Sequence, residues 1–388
     1  MRRRTVAVAA AFLFVMPALL MTGTVSAGET KDKWTVMVYL DADNNLQSFG
    51  EMNLHMLESV GSSADVNFVV LYDTLTRPAY LVYVNKGSAQ VLGDWGEINM
   101  ADPATMAKFI QEAAKAAPAE RYAFDAWDHG GGWRGLCWDD TSEMQTGTPQ
   151  FIDMKELRQG LVDGGVKFDL FAFDECLMAQ PEVAYALDGY AKYAVFSEET
   201  IYGQGFPYDA IAKDLVAAPD MDGLALSKVI VNDFAAYYNS ITWANDWTIS
   251  AFDMAHMNEL TTGISDLAAS SLNVLGEYKS QFKNDLAGAQ TYYYPYYADL
   301  KGYAMNVLND KAIADPAVKA AADEVVKAVD AGVVLSVNSK HNMDSHGISI
   351  YFPSYRSSTL GLKGTYADVP FAVDSGWLLF LQSFASNK

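Results

Sequence analysis

Two short stretches hold residues that could do nucleophilic chemistry together. Trp127-Asp-His-Gly-Gly-Gly-Trp-Arg-Gly135 sets His129, one of five histidines, before three glycines, and Phe173-Asp-Glu-Cys176 presents one of only two cysteines beside two acids. A thiolate is a strong nucleophile, and an imidazole within reach is the usual base that makes it one. The pattern therefore expects Cys176 to attack and His129 to serve as general base and acid. The glycines after His129 would let a substrate backbone approach the ring and leave amides free to bind an oxyanion. The plainer alternative is a polar loop histidine.

The flanking segments explain how the two could meet. Val166 to Phe173 is apolar and bounded by Gly164-Gly165 and by acids, as a buried strand of a parallel sheet should be. Pro181 and Glu182 to Leu187 read as a helix start after it. Arg121 to Asp128 is a second strand, ending at His129, and Asp153 to Val162 is a helix between the two. Strand, helix, strand makes a right-handed parallel connection between neighbours, so His129 and Cys176 are expected at adjacent carboxyl ends, where open sheets bind ligands. Period two puts Asp174 and Cys176 on one side and Glu175 on the other. The helix start and an imidazolium would lower the thiol pKa from about 8.5, with Glu175 opposing.

Further strands are expected at 34–40, 66–72, 246–253, 333–338 and 347–352, and an edge hairpin at 79–84 and 89–92 turning at Asn85-Lys-Gly87. Helices are expected at 46–60, 103–116, 316–330 and 377–384, with a long helical stretch over 255–283. The class is α/β, with a catalytic core over 28–245 and a C-terminal α+β region over 246–388 packing on it. The run Thr291-Tyr-Tyr-Tyr-Pro-Tyr-Tyr297 could be a stacking platform or a packed surface, clustered aromatics being commonly core.

Composition sets the outer limits. The chain has 388 residues, 51% of them hydrophobic, enough for a large core, and a formal charge of −21 that makes nucleic acid a poor partner. Residues 1–27 read as a cleavable signal: Arg2-Arg3-Arg4, an apolar core over 5–21, and Val25-Ser26-Ala27 at the cut. The mature chain is thus expected to be secreted or periplasmic, and soluble, since no later stretch nears the roughly 20 apolar residues of a membrane span. Two cysteines make no disulfide framework, although Cys137 and Cys176 could pair with each other.

Metal motifs do not fit. Asp41-Ala-Asp-Asn-Asn45 starts like an EF-hand loop, but Leu46 and Met52 stand where glycine and a bidentate glutamate are needed, so these side chains are expected to cap the following helix. His341 and His346 flank Asp344 at no zinc spacing.

In these residues the chain resembles the clostripain-like cysteine peptidases, which group with caspases, legumains and gingipains. The likeness rests on Trp34 to Gln47, on Trp127 to Gly135 with Cys137-Trp-Asp-Asp-Thr-Ser142 behind it, on Phe173-Asp-Glu-Cys-Leu-Met178 with Glu182-Val-Ala-Tyr185, on Ser197-Glu-Glu-Thr200, and on Gly347-Ile-Ser-Ile-Tyr-Phe-Pro353. The resemblance implies a caspase-like α/β/α sandwich around a mostly parallel sheet, a His129–Cys176 dyad, and an oxyanion hole from the amides of Gly130 and Cys176. It further implies cleavage of proteins or peptides after arginine or lysine, with Asp174 as the S1 acid, a side chain that can pair with a cation. It allows a calcium requirement that no motif here encodes, and no other cofactor. Three departures stand out. Glu175 replaces a small residue beside the nucleophile, Gln204 stands where a second S1 acid often occurs, and residues 135–154 contain no Lys or Arg for self-cleavage. A silent caspase-fold module that binds a peptide or surface partner is the first rival. A metal-dependent hydrolase built on the acidic loops is the second.

Overall fold

The structure, a computed structural model, describes residues 31–353 and 366–386. The expected signal segment, residues 1–27, lies outside them.

In chain order the elements are β1 (Asp32–Ala42), α1 (Gln47–Val60), β2 (Val66–Thr74), β3 (Arg77–Asn85), β4 (Ser88–Gly96), α2 (Pro103–Ala116), β5 (Ala119–Trp127), α3 (Asp140–Thr146), α4 (Met154–Gly164), β6 (Leu170–Asp174), α5 (Pro181–Leu187), β7 (Tyr193–Phe196), α6 (Tyr208–Ala217), α7 (Gly223–Ser240) and β8 (Thr248–Asp253). There follow α8 (Met257–Asn273), α9 (Leu275–Ala287), β9 (Tyr297–Asp299), α10 (Leu300–Asn309), α11 (Pro316–Gly332), β10 (Val333–Asn338), β11 (Ser349–Tyr351), α12 (Pro370–Asp374) and α13 (Trp377–Ala385). The long helical stretch expected over 255–283 is two helices, broken at Val274.

One nine-stranded sheet, ordered β10-β8-β7-β6-β5-β1-β2-β3-β4, organises these elements. The five central strands are parallel, and only β3 and β8 run against the rest. β3 and β4 form the expected edge hairpin. The strands β8 and β10, which follow residue 245, continue the same sheet. Alternation along β1 shows how both faces are buried: Met37 and Tyr39 join one core with α2, α4, α5, α8, α11 and α13, whereas Val38 and Leu40 join the other with α1, α6 and α7. The result is an α/β/α sandwich. Among the described residues no helix is long and apolar enough to cross a membrane.

Candidate functional site

Four parallel strands end level with one another. Leu40 pairs with Trp127, and Trp127 with Asp174, so the loops after β1, β5, β6 and β7 meet at one edge of the sheet. His129 and Cys176 lie on two adjacent loops of the four. Gly130 brings them together: a Cβ there would stand 2.3 Å from the carbonyl oxygen and 2.9 Å from the nitrogen of Cys176, so only glycine admits this contact. Gly132, at φ +64°, likewise leaves room for Gln180, whose Oε1 accepts the Trp133 amide at 2.9 Å. The glycines thus admit the neighbouring loop of the chain itself. Leu177, just after the thiol, is held at φ +68°, a strained turn for a residue with a side chain.

His129 is oriented from an unexpected quarter. Its Nε2 lies 2.8 Å from Oδ1 of Asn45, an amide oxygen, so Nε2 carries the proton and Nδ1 is left as the basic nitrogen. The preceding Asn44 donates to Asp128 Oδ1 at 2.6 Å, and Asp128 Oδ2 accepts the amide of Trp138. Asn44 Oδ1 also accepts the Leu46 amide at the start of α1, whereas the acids of this loop cap nothing there. Burial lowers the pKa of His129 below 6.5, which keeps the ring neutral.

The thiol departs from expectation. Cys176 Sγ is half-buried, accepts the Ile201 amide at 3.3 Å and makes no hydrogen bond to His129. Its pKa is pushed up to about 12, chiefly by burial, with Glu175, Asp174 and Glu199 adding to the rise. The expected lowering fails because desolvation and three carboxylates outweigh one amide donor. Glu175 does turn away, as the strand period required. It is 1% exposed, and Oε1 lies 3.4 Å from the Cys137 thiol. Burial raises its own pKa well above the usual range. Cys137 and Cys176 are both free thiols.

Asp174 faces the opposite core. Its Oδ2 accepts the Phe206 amide at 2.8 Å and contacts the Tyr208 hydroxyl at 3.1 Å, whereas Oδ1 is buried with no partner. A Cβ on Gly205 would stand 2.4 Å from this carboxylate, so the 202–206 loop closes over it. That loop is anchored by Asn53, which donates to the Gln204 carbonyl at 3.0 Å, and by the Tyr238 hydroxyl, which donates to Gly205 O at 2.9 Å. The Gln204 side chain itself is half-buried. Asp125, two residues before the end of β5, contacts the same hydroxyl at 2.5 Å, a contact that no local motif in the sequence announces.

The C-terminal motifs knit the site from behind. Tyr292 donates to Glu198 Oε1 at 2.7 Å and Gly347 N to Glu198 Oε2 at 2.9 Å. The Tyr297 hydroxyl donates to Gly131 O at 2.6 Å. Tyr292 and Tyr297 are therefore packed, although Tyr293 is 66% exposed. His346 Nδ1 pairs with the buried Asp299 at 2.8 Å, and His341 is exposed. Only one group among the described residues has the arrangement of a cation site: Asp43, Glu97 and Asp139.

Comparison with known proteins places the chain in a family and a fold. The profile of the clostripain family, Peptidase C11, matches residues 38–383, and the chain belongs to that family. It is 29% identical over 218 residues to clostripain of Hathewaya histolytica, an alignment that takes in 46% of this chain and 41% of that protein. Its fold is similar to that of a secreted C11 cysteine protease from Bacteroides thetaiotaomicron in complex with an irreversible peptide inhibitor, at TM-score 0.69 and 20% identity, over 89% of this chain and 99% of the other. It is also similar to an inactive zymogen C11 protease from Parabacteroides distasonis, at TM-score 0.68 and 22% identity over the same shares.

Proposed function

We propose that this member of the clostripain family is an exported cysteine endopeptidase that cleaves after arginine or lysine. Cys176 is the nucleophile and His129 the base. Because Nε2 of His129 is bound to Asn45, the proton of the thiol passes to Nδ1 as sulfur attacks the scissile carbonyl. A thiol held near 12 and an imidazole held neutral favour transfer during attack over a resting ion pair. The amides of Gly130 and Cys176 receive the oxyanion, the imidazolium protonates the leaving amine, and water then hydrolyses the thioester.

The observation that carries the basic preference is Oδ1 of Asp174, a buried carboxylate oxygen without a partner two residues from the thiol. A guanidinium or ammonium would supply the missing donor and charge. Paired fluorogenic peptides ending in arginine, lysine or aspartate test the reading under reducing conditions. Turnover after the basic residues should vanish in Cys176→Ala, and Asp174→Ala should lose the preference for them. Turnover after aspartate alone, or turnover that survives Cys176→Ala, refutes it.

A silent module that binds peptides is the second reading, favoured by the raised thiol pKa and the missing His129–Cys176 hydrogen bond. An arginyl acyloxymethyl ketone separates the two, since it labels Cys176 only if the dyad works.

A further inference from the structure

Trp243 is the only exposed tryptophan among the described residues, 55% open to solvent. It stands in the turn between α7 and β8, where the Ala244 amide donates to Ile241 O at 3.1 Å. Trp247, four residues on, is 1% exposed and already anchors this turn in the core against Phe234 and Tyr238. Core packing therefore leaves the exposed ring without a purpose. A lone apolar side chain on a surface is ordinary, but one held in a fixed place next to a nucleophile is not.

Trp243 is held in that way. Its ring meets Tyr202 edge to face at 5.1 Å, and the Tyr202 hydroxyl accepts the amides of Asn245 and Asp246 at 3.2 and 3.3 Å, which fixes the turn to Tyr202. Asn342 donates to Asp246 Oδ1 at 2.8 Å and ties the same turn to the 339–345 loop. Tyr202 directly follows Ile201, whose amide donates to Cys176 Sγ, and it opens the 202–206 loop that closes over Asp174. At the other end of this segment Glu199 is buried, its Oε1 accepting the amides of Thr200 and Tyr293 at 2.7 and 3.2 Å. An aromatic shelf fixed at so many points loses little freedom when a ligand settles on it.

We infer that Trp243, seated on Tyr202, forms the subsite for the residue preceding the scissile one, and that this subsite selects a large apolar side chain such as phenylalanine or leucine. The inference rests on the reading of Cys176 as nucleophile and Asp174 as the S1 acid. With a basic side chain on Asp174, the preceding residue of an extended peptide lies about 3.8 Å along and turns its side chain to the opposite face. The chain from Ile201 to Tyr202 leads from the thiol to the rim of the Asp174 pocket, and the indole on Tyr202 is the exposed apolar surface there. A phenylalanine or leucine laid on that indole removes apolar area of both partners from water, which glycine cannot do. Asp246, the one acid of the 241–247 turn, is engaged by Asn342, so apolar contact and not charge sets the choice.

Fluorogenic peptides ending in Phe-Arg, Leu-Arg, Gly-Arg or Lys-Arg are compared on the wild type, Trp243→Ala and Trp243→Phe. The kcat/KM for Phe-Arg and Leu-Arg should exceed that for Gly-Arg by about 30-fold. Trp243→Ala should cut this ratio to roughly three-fold, mainly through KM, with an unshifted Tm because the ring is exposed, and Trp243→Phe should keep most of it. A ring that merely supported Tyr202 would lower turnover of all four peptides alike. The same sequences as simple amides are titrated into the Cys176→Ala protein by calorimetry, where the order of affinity should match. Failure of all four peptides to be cleaved refutes the peptidase reading, and the titration then decides the subsite alone. Equal or undetectable affinity for the Phe-Arg and Gly-Arg amides, a preference for Lys-Arg, or a ratio unchanged in Trp243→Ala overturns the inference.

Discussion

The Tyr208 hydroxyl stands 2.5 Å from Oδ2 of Asp125 while also touching Oδ2 of Asp174 at 3.1 Å. A hydroxyl has one proton, so it can donate to only one of two carboxylates. The other contact requires that an acid donate to the phenol oxygen. Asp125 is that acid: burial holds its pKa well above the usual range, and it borders an apolar cavity lined by Val36, Leu57, Phe68 and Leu170. Tyr208 then donates to Asp174, which also accepts the Phe206 amide and is the member of the pair that ionises, with a pKa pushed up to about 7.

This arrangement predicts how selection at P1 depends on pH and on the two partners. The ratio of kcat/KM for arginine over its neutral isostere citrulline should fall as pH drops through about 7, where Asp174 takes up a proton. Asp125→Asn, whose amide can still donate to the phenol, should keep the ratio. Tyr208→Phe should lower it roughly ten-fold, mainly through KM. A large loss in Asp125→Asn would show that Asp125 is itself an ionised S1 acid.

Asn45 should behave as a positioning residue. Asn45→Ala frees the Nε2 proton of His129 and lets the ring turn, so kcat should fall by about 10- to 100-fold with KM little changed. Asn45→Asp keeps the acceptor and adds charge. The acid limb of its pH–rate profile should move upward, because a carboxylate stabilises imidazolium.

Gly130 is predicted to tolerate no side chain. A methyl group there meets the Cys176 backbone at 2.3 Å, which must displace the nucleophile loop. Gly130→Ala should retain a cooperative melt and lose labelling by an arginyl ketone, whereas Gly276→Ala, which meets nothing within 4 Å and has no left-handed backbone, should retain both.

Glu182 supplies a stability prediction. It is 1% exposed and accepts the Tyr351 amide at 3.1 Å and the Tyr366 hydroxyl at 2.9 Å, and burial pushes its pKa up to about 7. A carboxyl raised in the folded state stabilises most when it is protonated, below its unfolded value, and loses that contribution as pH rises through about 7. Glu182→Gln removes the titration but keeps an acceptor. The wild type should therefore lose roughly 1 to 3 kcal/mol against the variant between pH 5 and pH 8, measured by denaturant unfolding.

Much of the site was legible because its signals are local. An apolar run ending in acids and a cysteine marks β6, a histidine followed by glycines marks the end of β5, and the helix between them makes the two parallel neighbours. Side-chain alternation along β6 was enough to turn Glu175 from Asp174, since strand geometry has that period wherever the strand lies. What tertiary structure alone decided follows from sheet order and burial. β1 is inserted between β5 and β2, and only this brings Asn45 to His129 and Asp43 to Glu97 and Asp139. Tyr208 reaches Asp125 and Asp174 because α6 packs over the sheet face opposite Glu175. The thiol pKa went the other way from expectation for the same reason: a pKa answers to desolvation and to the distance of every charge, and chain spacing encodes neither.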